Sequence, residues 1–115
     1  MRNYNLDVQL ERALNWVNKT LPNRTIPKTK AKLLEEIGEL VGSDFRDPAE
    51  YADVLIVLDD LAEQHGIDLT GAIIDKMKIN RERNWVLKES GVYKHVDDDG
   101  LLDERVPFNL SLIHI

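Results

Sequence analysis

The chain has 115 residues, 43% of them apolar and 31% charged, with a formal net charge of −6; this is the composition of a globular domain with one hydrophobic core. It has no cysteine, which excludes disulfides and thiolate metal sites, and no apolar run near the roughly 20 residues that span a bilayer. The acidic balance argues against a nucleic-acid duplex as partner, while a small phosphate ligand stays open if divalent cations neutralise both sides.

The N-terminal "MRNYNLDVQLERAL" lacks the apolar segment of a signal peptide, so a cytoplasmic protein is expected. Leu6, Leu10, Ala13, Leu14 and Val17 recur at helical spacing and predict a first helix with one apolar stripe. Trp16 lies about 80° from the centre of that stripe, where it can stack on a base or pack at an interface. Pro22 and Pro27 predict a loop over 20–27. A second helix is expected from about Lys28 to Val41, with Leu33, Leu34, Ile37, Leu40 and Val41 as its apolar positions. In "DPAE", Asp47 suits an N-cap, Pro48 the first helical position and Glu50 the reciprocal place in a capping box. The third helix therefore starts there, and Gly66 suits its C-terminal stop.

Between Val54 and Leu58 that helix is apolar nearly all round and must be covered on more than one side, by other helices of the chain or by a second copy. Asp68 can cap a fourth helix from about Leu69 to Lys88, with Ile73, Ile74 and Met77 facing inward. After Gly91 the pattern gives way to turns. No stretch sustains period-two alternation, so the expected class is all-α, a bundle of four to five helices. The end of the chain, Leu110 to Ile115 ("LSLIHI"), matches the translation of a transposon-type sequencing adapter end. It is expected to be non-native, leaving 1–109 as a single domain.

Charge concentrates in two places. In "LLEEIGEL", Glu35, Glu36 and Glu39 fall in one helical sector, Glu36 and Glu39 about 60° apart. Like charges at such spacing cost a few tenths of a kcal/mol, which a solvated face tolerates, so the stretch alone reads more readily as a charged outer surface than as a site. Glu50 and Asp53 repeat the spacing on the third helix. Asp53 precedes an apolar run, where an ionised carboxylate is expensive unless paired or metal-bound. Two adjacent antiparallel helices, each offering acids three apart, make an oxygen-rich pocket suited to magnesium or manganese. On the fourth helix Lys76, Asn80 and Arg83 lie within about 60° of one another, as phosphate contacts or as a solvated basic stripe. His95 is a further site candidate through its proximity to that helix. A di-iron bundle site is excluded, since no Glu-x-x-His motif occurs.

These motifs resemble those of the MazG-like, all-α nucleoside triphosphate pyrophosphatases, marked by E-E-x-x-E (Glu35, Glu36, Glu39) and then E-x-x-D (Glu50, Asp53). The phage and prophage branch is more similar still. It shares "EYADVL", "HGIDL", K-x-x-x-N-x-x-R-x-W at Lys76, Asn80, Arg83 and Trp85, and an ending like "SGVYKHV". The resemblance covers roughly residues 30–96. It implies that Glu36, Glu39, Glu50 and Asp53 hold Mg²⁺, with Mn²⁺ able to substitute, and that Glu35 binds a further metal or orients the attacking water with Glu36. Lys76, Asn80 and Arg83 would contact the triphosphate. It further implies hydrolysis of a nucleoside triphosphate to monophosphate and pyrophosphate, on purine deoxynucleotides such as dATP and dGTP. The implied assembly is a helical homodimer or dimer of dimers whose core the second copy completes. A non-catalytic helical oligomerisation module, or a hydrolase with another scissile bond, stands as the alternative.

Overall fold

Backbone capping sets the helix boundaries. In the structure, a computed structural model that describes residues 5–96, α1 (Leu6–Thr20), α2 (Ile26–Gly42), α3 (Pro48–Gln64) and α4 (Leu69–Glu82) are followed by strands β1 (Asn84–Leu87) and β2 (Tyr93–Val96). Asn5 accepts from the Asp7 amide at 2.9 Å, Thr25 from Lys28 at 3.4 Å and Asp47 from Ala49 at 2.9 Å. Each bond satisfies an amide that has no partner inside its helix. Pro27 falls in the first turn of α2 rather than in the expected loop, because a missing N–H costs nothing there.

α3 ends in a Schellman motif. Gly66 takes φ +70°, its amide donates to Glu63 O at 2.9 Å, and the Ile67 amide donates to Ala62 O at 2.9 Å. Asp68 then caps α4 by accepting from the Gly71 amide at 3.1 Å. A Cβ on Gly71 would sit 2.6 Å from Asp68 Oδ2, so any other residue there would have to displace the capping carboxylate.

The chain divides after Ile73 into two compact units. In the first, the short connection after Gly42 folds α3 back on α2 as an antiparallel pair, and α1 packs against α3. Leu14, Val17 and Leu40 are the buried apolar residues, accompanied by buried Thr29, Glu36 and Asp60. A polar network crosses this unit. Arg24 donates to both oxygens of Asp60, at 2.8 and 2.7 Å, and the Gln64 amide donates to Thr29 Oγ1 at 2.9 Å and Asp60 Oδ2 at 3.2 Å.

The second unit holds the rest of α4 and an antiparallel hairpin that pairs Asn84 with Val96, Trp85 with His95, Val86 with Lys94 and Leu87 with Tyr93. Gly91, at φ +85°, turns the chain between the strands. The described residues form the expected mostly helical fold of four helices, with a two-stranded sheet that the all-α expectation did not include. α4 stops at Glu82, short of Lys88, because Trp85 and Val86 favour extended backbone and find partners in β2. A second correction concerns Ile73, Ile74 and Met77, which were expected inside. They are 56%, 54% and 40% exposed, and none of the described residues of α4 is buried. Helical spacing identified the stripe, but not what covers it. Among the described residues no helix is long and apolar enough to cross a membrane.

Candidate metal centre

The antiparallel α2–α3 pair brings the last turns of α2 beside the first turns of α3. Glu36 and Glu39 thereby meet Glu50 and Asp53, each offering one oxygen, and these oxygens all lie within 4.8 Å of one another. Glu36 is buried, at 5% exposure; Glu50 is half-buried, and Glu39 and Asp53 are exposed. Asp53 is therefore not the buried carboxylate that its apolar neighbours implied. The run Val54–Val57 is only half-buried and Leu58 is exposed, so α3 is not enclosed by the described residues. The desolvated acid is Glu36.

Its environment explains how it persists. Lys32, one turn earlier on α2, places Nζ 2.9 Å from Glu36 Oε1 and 3.5 Å from Glu35 Oε1. The Lys32 contact holds the Glu36 carboxyl below the usual range, against the opposing pull of burial. Glu39 moves the other way: the adjacent Glu36 carboxylate pushes it up, and slight desolvation, Glu50 and Glu35 add to the effect. A bound cation would offset this mutual repulsion of the two carboxylates. Two buried oxygens, Glu36 Oε2 and Glu50 Oε2, have no hydrogen-bond partner, and leaving such an acceptor orphaned typically costs about 1–3 kcal/mol. Four hard oxygen donors, two of them orphaned, fit Mg²⁺ or Mn²⁺.

Glu50 does not close the capping box that its position allows; the Asp47 amide points instead to Ser43 Oγ at 3.5 Å. Glu35 lies outside the group of four and pairs with Lys32. Trp16 is 60% exposed on α1. Lys76, Asn80 and Arg83 lie in the second unit, Lys76 exposed and the other two half-buried. Lys32 was missed from sequence; its only signal is the i, i+4 spacing to Glu36, which any surface pair shares.

A cavity of about 260 Å³ opens among α1, α2 and α3, walled by Val17, Leu21, Ile56 and Val57, with Lys32 and Asp60 at its polar margin. Lys32 thus touches both this cavity and the acid group. A second cavity, of about 250 Å³, is lined with carboxylates, among them Asp7, Asp59, Glu63 and Asp68. Burial first, then Asp7 and Asp60, push the Asp59 carboxyl above its usual range.

Comparison with known proteins finds phage nucleotide hydrolases. A Cyanophage S-2L dATP/dGTP diphosphohydrolase is 49% identical over 82 residues, covering 70% of this chain and 78% of the relative. A Salmonella phage PMBT28 protein of the same description is 42% identical over 88 residues, 76% of this chain; the matched region spans 30% of that longer relative. Among solved structures, the Cyanophage S-2L MazG-like pyrophosphohydrolase bound to dGDP and three catalytic Mn²⁺ ions per active site matches with a TM-score of 0.66. Its sequence identity is 44%, over 82% of this chain and 99% of that one. Fold and acid cluster together define a nucleotide pyrophosphohydrolase of the MazG-like class. Residues 10–100 match the dATP/dGTP pyrophosphohydrolase model, and the chain belongs to that family.

Proposed function

We propose that this protein hydrolyses purine deoxynucleoside triphosphates, dATP or dGTP, to the monophosphate and pyrophosphate. The observation that carries this is the meeting of Glu36, Glu39, Glu50 and Asp53 within 4.8 Å, with two buried oxygens lacking partners. These four residues would hold Mg²⁺, or Mn²⁺ as in the cyanophage neighbour. Bound divalent ions polarise phosphoryl oxygens and make hydroxide available near neutral pH.

The chain's own residues prepare that chemistry. Lys32 fixes the Glu36 carboxylate in one orientation and keeps it ionised. Glu39 acts as a ligand only when ionised, and its neighbour Glu36 works against that ionisation, which makes occupancy pH-dependent. Glu35, beside the cluster, orients the attacking water or serves a further ion, in concert with Glu36. Water attacks the α-phosphorus, the α–β bond breaks, and pyrophosphate departs. Lys76 and Arg83, with the Asn80 amide, are the phosphate ligands by chemical type, stabilising charge on the leaving group.

The nucleoside needs an apolar seat within reach of the acids. Along α2, Lys32 is one turn from Glu36, and along α3, Ile56 and Val57 are about one turn, or roughly 5 Å, from Asp53. That offset is comparable to the separation of base and α-phosphate, so the apolar cavity is the base's seat; exposed Trp16 is the second candidate platform. The exposed apolar stripe of α4 supports a homodimer or dimer of dimers, and a reaction on free nucleotides fits the cytoplasm.

The test is a panel of the four deoxynucleotides with Mg²⁺ or Mn²⁺ and product identification by phosphorus NMR. Monophosphate with pyrophosphate, formed fastest from dATP or dGTP, is expected. Orthophosphate or tripolyphosphate as product rejects the assigned bond, and no turnover with any nucleotide rejects the activity.

A further inference from the structure

The second unit gathers two conspicuous side chains around one imidazole. Arg83 Nη1 lies 3.3 Å from His95 Nδ1. A guanidinium only donates, so Nδ1 is the acceptor in this contact. Trp85 faces the same ring edge-on, centroids 5.4 Å apart and planes at 82°, because the two residues are cross-strand partners in the hairpin. The indole N–H of Trp85 in turn donates to the Asn80 carbonyl at 2.9 Å, which pins β1 to the last turn of α4. Arg83 itself sits just past the end of that helix, where the backbone alone does not fix its direction.

We propose that His95 is a positioning residue for Arg83, holding one arm of the guanidinium through Nδ1 while Trp85 fixes the plane of the ring. It rests on the assignment of Arg83 as a phosphate ligand and goes beyond it by giving the "YKHV" strand and Trp85 a task. A simple basic stripe requires neither the bond nor the stack, and Arg83 and His95 are half-buried whereas Lys76 is exposed. The physical gain is preorganisation. An arginine side chain has several rotatable bonds, and ordering its head group before the triphosphate arrives lowers the entropy lost on binding. The advantage should therefore appear mainly in KM.

The experiment is steady-state kinetics of the full chain with dGTP and Mn²⁺. His95→Phe keeps an aromatic edge against Trp85 and removes the acceptor; His95→Asn keeps an acceptor near the place of Nδ1. His95→Phe is expected to raise KM on the order of tenfold with a smaller change in kcat, while His95→Asn stays within about twofold of the parent. On an Arg83→Ala background, His95→Phe should add nothing further. If Arg83→Ala raises KM but a folded His95→Phe protein does not, the positioning role is overturned and the phosphate assignment stands. If Arg83→Ala leaves KM unchanged, the phosphate assignment fails and the positioning role fails with it. Equal losses in the Phe and Asn variants, together with lowered melting temperatures, mark a merely structural histidine and also overturn the proposal.

Discussion

Glu36 and Glu39 lie three residues apart and respond to pH in opposite senses. Lys32 depresses Glu36, so the stability Glu36 contributes is present above the ordinary carboxylate range and is lost as pH falls through its lowered value. Glu39 is raised by Glu36, so the folded chain without cations is favoured while Glu39 keeps its proton, and that advantage is lost as pH rises through the raised value. Glu39→Gln should consequently raise the melting temperature of the metal-free protein at about pH 7, and leave it unchanged at about pH 3, below the carboxylate range. The same change removes a metal ligand. Mn²⁺ at about a hundredfold excess over its Kd should stabilise the parent by about 2.7 kcal/mol and the variant by much less. Equal Mn²⁺-induced shifts in calorimetry of the two proteins would remove Glu39 from the metal set. Asp59 gives a separate test of sign: its raised carboxyl means that Asp59→Asn should stabilise at neutral pH and make no difference in acid. Thermal melts of both proteins across pH check this. The acids themselves were legible in sequence because a spacing of three on two neighbouring helices dictates their sector. The burial of Glu36 and the exposure of Asp53 were not, since burial depends on which helices pack beside each face.

At the scale of elements, two short devices hold the first unit together, and each predicts a measurable loss. Gly66 adopts φ +70° to close the end of α3; an L side chain is strained there, so Gly66→Ala should cost about 1 kcal/mol. Denaturant unfolding should show this as a lower midpoint with an unchanged slope. Arg24 binds both oxygens of Asp60, a buried carboxylate. Arg24→Ala leaves that charge without its partner and should cost about 3 kcal/mol, whereas Arg24→Met with Asp60→Leu should recover much of the loss by packing apolar atoms instead. Helix starts were readable in advance because Asp47–Pro48 and Asp68 announce themselves by chemistry that acts within one turn. The hairpin was not. "NWVL" and "YKHV" are four-residue strands too short for period-two alternation to register, and the spacing from Lys76 to Arg83 continues the helical pattern up to the break. Pairing across the turn decides between the two conformations, and pairing is not local.

At the scale of the whole molecule, the described residues leave much apolar surface uncovered. Only Leu14, Val17 and Leu40 are buried among the described apolar residues, and no large side chain among them is fully enclosed. Ile73, Ile74 and Met77 meanwhile form one exposed stripe along α4. Monomeric proteins rarely leave contiguous patches of this kind in water, and a second copy is the partner always available at the same concentration. If α4 is part of such an interface, folding and association are coupled, and the melting temperature must rise with protein concentration. Ile74→Glu puts a charge in the middle of the stripe and should both lower the melting temperature and remove its concentration dependence. Sedimentation equilibrium should then show the parent as a dimer or tetramer and the variant shifted toward monomer. The activity panel adds the decisive comparison. A variant that becomes monomeric and loses turnover in proportion shows that the catalytic pocket needs the assembled form, whereas a monomeric parent with full activity would show that the α4 stripe serves some other contact.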